Sequence, residues 1–285
     1  MIGTRETAYA KINLALHVRE RMPDGYHRIE TLFAFCEDGD VLDVGPNGEL
    51  SLALTGPFSG QLDAGPDNLV LAAARMLKTF ETAWGSGTKF PGAALHLDKR
   101  LPVAAGLGGG SADAGAAIRL LNRHWDANLD LHDLCIGGAA LGADVPACIV
   151  SRTRLGTGTG AELEMPGTDD ASGLSVLLVN PGVPLATGLV FRGWDGVDRG
   201  PLATGSVMDV ALAGRNDLEA PAVALCPPIA EVLDALRTTG PLLARMSGSG
   251  ATCFALFADP IARDRADARI AAAHPAWWRM ATRLR

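Results

Sequence analysis

A chain of 285 residues, 48% hydrophobic and 20% charged, holds enough apolar material for two cored domains, and no apolar run in it approaches bilayer-spanning length. Its net charge of −7 excludes a general nucleic-acid binder, whose affinity comes from neutralising phosphates with a basic surface, and leaves only local positive charge for a small ligand. Five cysteines, an odd number without a Cys-x-x-Cys pair, give neither a disulfide framework nor a zinc site. The start, Met1 to Glu6, leads into a strand rather than a signal peptide, so the expected compartment is the cytoplasm.

Period-two alternation predicts strands over residues 7–18 and 30–35, joined by a loop over 19–27. In the first, Ile12, Leu14 and Leu16 share one face, while Lys11 and Asn13 share the other, which is expected to be solvated or functional. In the loop, Asp24-Gly25 makes the turn, and Tyr26 and His27 either cover the surface or grip a flat ligand. Short strands follow at 41–44 and 50–54. A helix is predicted over 68–83, with Leu69, Ala72, Ala73, Met76, Leu77 and Phe80 on one face, and a strand over 94–97.

Next comes the glycine-rich run Pro102, Val103, Ala104, Ala105, Gly106, Leu107, Gly108, Gly109, Gly110, Ser111, Ala112, set between that strand and a helix marked by Ala114, Ala117, Ile118, Leu121 and Trp125. Glycines let successive backbone N–H groups approach an anion, and the first free amides of a helix add partial positive charge. The run is therefore expected to cradle phosphate, with Ser111 as helix N-cap and Asp113 where the dipole favours a carboxylate. A flexible surface loop is the alternative. No Gly-Lys-Ser/Thr occurs, which excludes a Walker A element, and the loop comes too late in the chain for a dinucleotide fingerprint.

A helix is predicted over 131–141, followed by Asp144 in a turn stiffened by Pro146, where its carboxylate can simply accept from the turn backbone. The turn-rich run 156–160 is either a domain boundary or a hairpin. Beyond it lie a strand at 174–179, a helix at 228–238, a strand at 253–257 and a helix at 261–273. Strands and helices mix without strict βαβ alternation, so the fold class is α+β.

The pattern Pro102-x-x-x-Gly106-Leu107-Gly108-x-x-Ser111-Ala112 resembles the second motif of the GHMP superfamily of small-molecule kinases. Ala8-Tyr9-Ala10-Lys11-Ile12-Asn13-Leu14 and Met246-Ser247-Gly248-Ser249-Gly250-Ala251-Thr252 resemble two further superfamily motifs. Residues 24–33 and 141–146 look like the branch of the superfamily whose acceptor carries cytidine. The resemblance runs from Lys11 to about Phe257 and implies a two-domain α+β GHMP kinase fold. A ribosomal-protein-S5-domain-2-like ATP-binding domain would span 1–155, and a ferredoxin-like C-terminal domain 156–285.

The activity implied is ATP-dependent phosphorylation of the 2-hydroxyl of a diphosphocytidyl sugar alcohol in non-mevalonate isoprenoid synthesis. A mevalonate-like or homoserine-like acceptor, or a noncatalytic nucleotide-binding module, remains open. At matching positions Lys11 and Asp144 are the catalytic pair: Asp144 would orient the hydroxyl or take its proton, and Lys11 would hold Asp144 ionised and stabilise phosphoryl oxygens. Asn13 lines the acceptor site, Tyr26 and His27 grip the cytidine, Thr187 belongs to a second acceptor loop, and Gly248, Ser249 and Gly250 line the phosphate-transfer region. The ATP site takes residues 102–112 together with Asn68 and Lys99. Relatives commonly carry a second serine where this chain has Ala112. Ser111 is either a hydroxyl that helps hold Mg²⁺ or only the helix cap. The expected partners are ATP and the cytidyl acceptor, with neither nucleic acid nor membrane, in a monomer or homodimer.

Overall fold

The computed structural model describes residues 4–83 and 90–285; Met1 to Gly3, expected to lead into the first strand, lie outside them. The chain divides into two compact units that alternate along the sequence. The first takes the residues up to Ala10, Asp38–Val103 and Gly108–Ser151; the second takes Lys11–Glu37, Ala104–Leu107 and Arg152–Arg285. Two long strands, β1 (Arg5–Arg21) and β2 (His27–Pro46), contribute residues to each.

In the first unit β3 (Ser51–Thr55) pairs in parallel with β4 (Ala93–Asp98), which pairs antiparallel with the end of β2, Val41 opposite Asp98 and Pro46 opposite Ala93. Among the described residues the α-helices of this unit are α1 (Leu69–Ala83), α2 (Gly109–His124), α3 (Leu131–Ala139) and α4 (Val145–Val150). Leu42, Val44, Leu95 and Leu97 from the strands pack with Val70, Leu77, Ala117, Ile118, Leu121 and Ile149 from the helices. The α2 stripe read from sequence is buried throughout, whereas the buried face of α1 is Val70, Leu71, Ala73, Ala74 and Leu77, with Leu69, Ala72, Met76 and Phe80 of the expected stripe half-buried beside it.

Two local expectations are corrected here. Ser111 does not cap α2. Gly108, in the left-handed region at φ 61 and ψ 25, turns the chain into the helix earlier, which leaves Ser111 inside the first turn and Asp113 beyond it. Pro146 does not merely stiffen a turn. It lies in the first turn of α4, where its missing N–H would have had no helical partner anyway, and Asp144 becomes the N-cap residue.

In the second unit the beginning of β2 pairs with β5 (Arg154–Thr157), Thr31 opposite Gly156, and β5 pairs with β6 (Glu162–Glu164). The turn-rich run at 156–160 is thus a hairpin. There follow β7 (Ser175–Asn180), α5 (Thr187–Arg192), α6 (Val207–Ala213), α7 (Glu219–Leu225), α8 (Pro228–Arg237), β8 (Leu243–Met246), β9 (Cys253–Phe257), α9 (Pro260–Ala273) and β10 (Trp278–Arg283). The sheet order β10-β7-β9-β8 is antiparallel throughout. With α8 preceding β8 and α9 preceding β10, this is the split βαββαβ arrangement of a ferredoxin-like domain. Leu177, Val179, Ala255 and Phe257 meet Ile229, Val232, Leu233 and Ile270 in its core. Among the described residues no helix is long and apolar enough to cross a membrane.

Candidate active site

Alternation in β1 puts Lys11 and Asn13 on one face, but that face is not open strand surface. Lys11 is 4% exposed and Asn13 2%, and every residue from Ala10 to Val18 is buried. A polar chain satisfies them. Lys11 Nζ donates to Asn13 Oδ1 at 3.0 Å, Asn13 Nδ2 donates to Thr31 Oγ1 at 2.8 Å, and Thr31 Oγ1 donates to Ala15 O at 2.7 Å. The ammonium also lies 5.3 Å from the centre of the Phe33 ring. Both ends of the Asn13 amide are fixed, so the lysine is held rather than free to sweep solvent.

The loop over 104–107 is tied down through its carbonyls. Thr252 N–H donates to Ala105 O at 3.0 Å, Ser247 Oγ to Gly106 O at 2.9 Å, and Lys11 N–H to Leu107 O at 3.1 Å. Asn13 N–H in turn donates to Ser247 Oγ at 3.2 Å. A Cβ on Gly106 would lie 2.3 Å from Ser247 O, and its φ of 77° is one that side chains disfavour. With the carbonyls engaged, the amides of Gly106 and Leu107 donate no hydrogen bond among the described residues, which is the arrangement an anion cradle requires.

Sequence reasoning missed the residues that shape the turn between β8 and β9. Asn216 Nδ2 donates to Met246 O and Gly248 O, each at 2.8 Å. Arg245 donates to the carbonyls of Leu14, Ala211 and Gly214. Burial lowers Arg245 to about 10, so it stays charged at neutral pH. The only signal was the polar run Arg215-Asn216-Asp217 outside any periodic pattern. Ser249 Oγ and Thr187 Oγ1 are 2.9 Å apart, which brings two predicted acceptor residues together.

Tyr26 and His27 part company. Tyr26 is 64% exposed, its N–H held by Asp24 Oδ1 at 3.0 Å. His27 is 8% exposed, with Phe191 at 5.1 Å and Trp194 edge-on at 5.8 Å. Burial, and then the charge of Arg21, lower its pKa below the ordinary histidine value.

In the first unit, the amides of Gly109, Gly110 and Ser111 open α2 without acceptors among the described residues, and the Ser111 hydroxyl has no partner there either. Ala112 is buried. Pro102 is also buried, Val103 half-buried and Ala104 exposed, with a φ of 52°. Lys99 was expected beside the adenine. Its side chain is instead buried, with Nζ 2.6 Å from both Asp40 Oδ2 and Asp113 Oδ2, and a Cβ on Gly109 would lie 3.1 Å from it. Its backbone N–H and carbonyl are bonded to Thr55 and Phe58. Lys99 therefore supports the loop from within. Burial works against its charge, but Asp113 and Asp40 outweigh that and raise its pKa. Two carboxylates share the one ammonium, so burial together with Asp40 lifts Asp113 to about 7 against the pull of Lys99. This also corrects Asp113, which serves Lys99 and not the helix dipole.

The Asn68 side chain is used locally, accepting from Val70 N–H at 2.9 Å and donating to Asp63 O at 2.8 Å. Asp144 is half-buried at the N-cap of α4, and its carboxylate makes no capping bond to that helix. No group of three or more His, Cys, Asp or Glu side chains suited to a metal ion occurs among the described residues. A single hydroxyl such as Ser111 fits Mg²⁺ only as an ion that keeps its waters and is held mainly by nucleotide phosphates.

The model for the GHMP kinases N terminal domain matches residues 68–152, and that for the GHMP kinases C terminal matches 205–276. The 4-diphosphocytidyl-2-C-methyl-D-erythritol kinase of Novosphingobium aromaticivorans is 54% identical over 284 residues, covering 100% of this chain and 94% of its own. The protein of the same name from Sphingopyxis alaskensis is 50% identical, covering 99% of this chain and 98% of its own. A solved 4-(cytidine 5'-diphospho)-2C-methyl-D-erythritol kinase structure aligns over 98% of both chains with TM-score 0.76 and 33% identity. The homoserine kinase of Cytophaga hutchinsonii, at 14% identity and TM-score 0.66 over 99% of this chain and 95% of its own, shares the fold alone. Full-length identity above half, with both domain models matched, makes this chain a member of the 4-diphosphocytidyl-2-C-methyl-D-erythritol kinases within the GHMP superfamily.

Proposed function

We propose that this ATP-dependent kinase transfers a phosphoryl group to the 2-hydroxyl of 4-diphosphocytidyl-2-C-methyl-D-erythritol, giving the 2-phosphate and ADP, as a step of non-mevalonate isoprenoid biosynthesis in the cytoplasm. The observation that carries the reading is the buried chain from Lys11 through Asn13 to Thr31, set in the strand whose Lys11 N–H also pins the glycine loop. Phosphoryl transfer has a loose transition state, so the protein acts mainly by alignment and charge neutralisation. Lys11, fixed in place and charged, stabilises the phosphoryl oxygens without reorganising. Asp144 orients the acceptor hydroxyl and takes its proton. The amides of Gly106 and of Gly108 to Gly110 would receive the nucleotide phosphates, and the Ser111 hydroxyl would help to hold Mg²⁺, which would supply further charge neutralisation there.

The acceptor is held by Tyr26, His27, Asn13, Thr187 and the turn Gly248-Ser249-Gly250. The exposed phenol next to a buried neutral imidazole supports a cytosine, which needs a stacking face and hydrogen bonds at its edge. The domain reading, 1–155 and 156–285, is supported by the two family models falling on either side of that boundary. The test is a direct comparison of acceptors. The purified protein should phosphorylate the cytidyl substrate with ATP and leave mevalonate and homoserine untouched; turnover of either simpler alcohol in preference would overturn the assignment.

A further inference from the structure

Arg21 ends β1 just before the turn that presents Tyr26 and His27, and it belongs to none of the motifs. Its guanidinium joins two elements. Nε–H donates to His27 Nε2 at 3.3 Å, and Nη2–H donates to the carbonyl of Arg192, the last residue of α5, at 3.3 Å. That helix begins at Thr187 and carries Phe191, whose ring lies 5.1 Å from His27. A guanidinium is a donor only and does not lose its proton, so any nitrogen facing it must present a lone pair. His27 Nε2 is therefore unprotonated, and the neutral ring carries its hydrogen on Nδ1. An imidazolium would set one N–H against another. Nδ1 makes no hydrogen bond among the described residues and is not among the polar atoms sealed from solvent, so it is the nitrogen a ligand can reach.

We propose that Arg21 is a positioning residue for the acceptor: it fixes His27 as the Nδ1–H tautomer, presenting a donor to the base, and fastens the end of α5 with the same group. This rests on the reading of Tyr26 and His27 as the cytidine site. The chemistry matches, because the ring nitrogen and carbonyl oxygen on the edge of cytosine are both acceptors. An unrestrained histidine side chain favours the opposite tautomer, with hydrogen on Nε2, so the Arg21 bond reverses the ring's own preference. The lowered His27 pKa agrees, since protonation would have to break this bond.

The test combines long-range ¹H–¹⁵N spectra of histidine-labelled protein, assigned with His27→Gln, and steady-state kinetics of Arg21→Met and Arg21→Lys. The native protein should show His27 with hydrogen on Nδ1. Arg21→Met should move it to Nε2 and raise KM for the cytidyl acceptor by about tenfold, the effect of one lost hydrogen bond at a desolvated site, with KM for ATP and kcat unchanged. Arg21→Lys, which can donate to Nε2 but cannot fork to Arg192, should keep the tautomer and recover most of the acceptor KM. An Nε2-protonated ring in the native protein, or a tautomer indifferent to Arg21→Met, would overturn the proposal. A tautomer that moves while acceptor KM stays constant would overturn the acceptor reading beneath it and leave the Arg21–His27 bond standing.

Discussion

Tyr26 and His27 are neighbours in sequence, yet only His27 is built into the packing of the second unit. The difference makes Tyr26 a clean probe. Because Tyr26 is 64% exposed, Tyr26→Ala should leave Tm unchanged, while stacking on a base is worth about 1–3 kcal/mol. Calorimetry should show that loss for the cytidyl acceptor and none for an ATP analogue; equal losses for both ligands would mean that the loop supports folding rather than base recognition. At this scale the sequence was readable where periodicity decides: it puts Lys11 and Asn13 on one face of β1, where Lys11 Nζ donates to Asn13 Oδ1. It was unreadable where tertiary contacts decide. Nothing local announces that Lys99 will be claimed by Asp40, 59 positions earlier, or that Asn216 will hold the carbonyls of Met246 and Gly248.

Glycines in one loop can be required for opposite reasons, and the element scale separates them. Gly106 is excluded from change by its own protein, since a side chain there would strike the Ser247 carbonyl. Gly110, exposed in the first turn of α2, is not: an added Cβ would meet only the tip of Leu69 at 3.4 Å. Gly110→Ala should therefore fold normally and tend to stabilise the helix, by up to about 1 kcal/mol on helix propensity. If nucleotide phosphates approach that backbone closely, KM for ATP should nevertheless rise several-fold, with acceptor KM unchanged. Unaltered ATP affinity beside an unaltered or raised Tm would remove Gly110 from the phosphate site. α1 and α8, with clear apolar faces, and β9, a continuous apolar run, were found within a residue or two of their observed bounds, as was α9, although its apolar contrast is slight. Several other short ones were not. β8 carries the charged Arg245 inward, β10 shows little burial contrast, and α4 is a single short helix opened by a proline, so each lacks the pattern that marks an element in sequence.

At the scale of the whole molecule, chain order and compact units disagree: β1 and β2 each feed two units, and the glycine run is divided between them at Val103, Ala104–Leu107 and Gly108. Local pattern cannot reveal such a division, because it depends on which distant segments pack together; the motif order across the chain nevertheless pointed to the right family. Lys11 belongs to the second unit and Asp144 to the first, 133 positions apart in sequence. Their assignment as one catalytic pair is therefore a statement about function that kinetics can test. Asp144→Asn preserves shape and removes the charge that would take the hydroxyl proton, so kcat should fall by about 10²–10⁴-fold, with much smaller changes in KM. Lys11→Met should lower kcat too, by removing the fixed charge that Asn13 holds. Groups that act in a single step are strongly non-additive, so the double variant should lose far less than the product of the two single losses. Losses that multiply fully would mean that Lys11 and Asp144 work independently, and near-native turnover by Asp144→Asn would return that residue to the role of an ordinary turn acceptor at the start of α4.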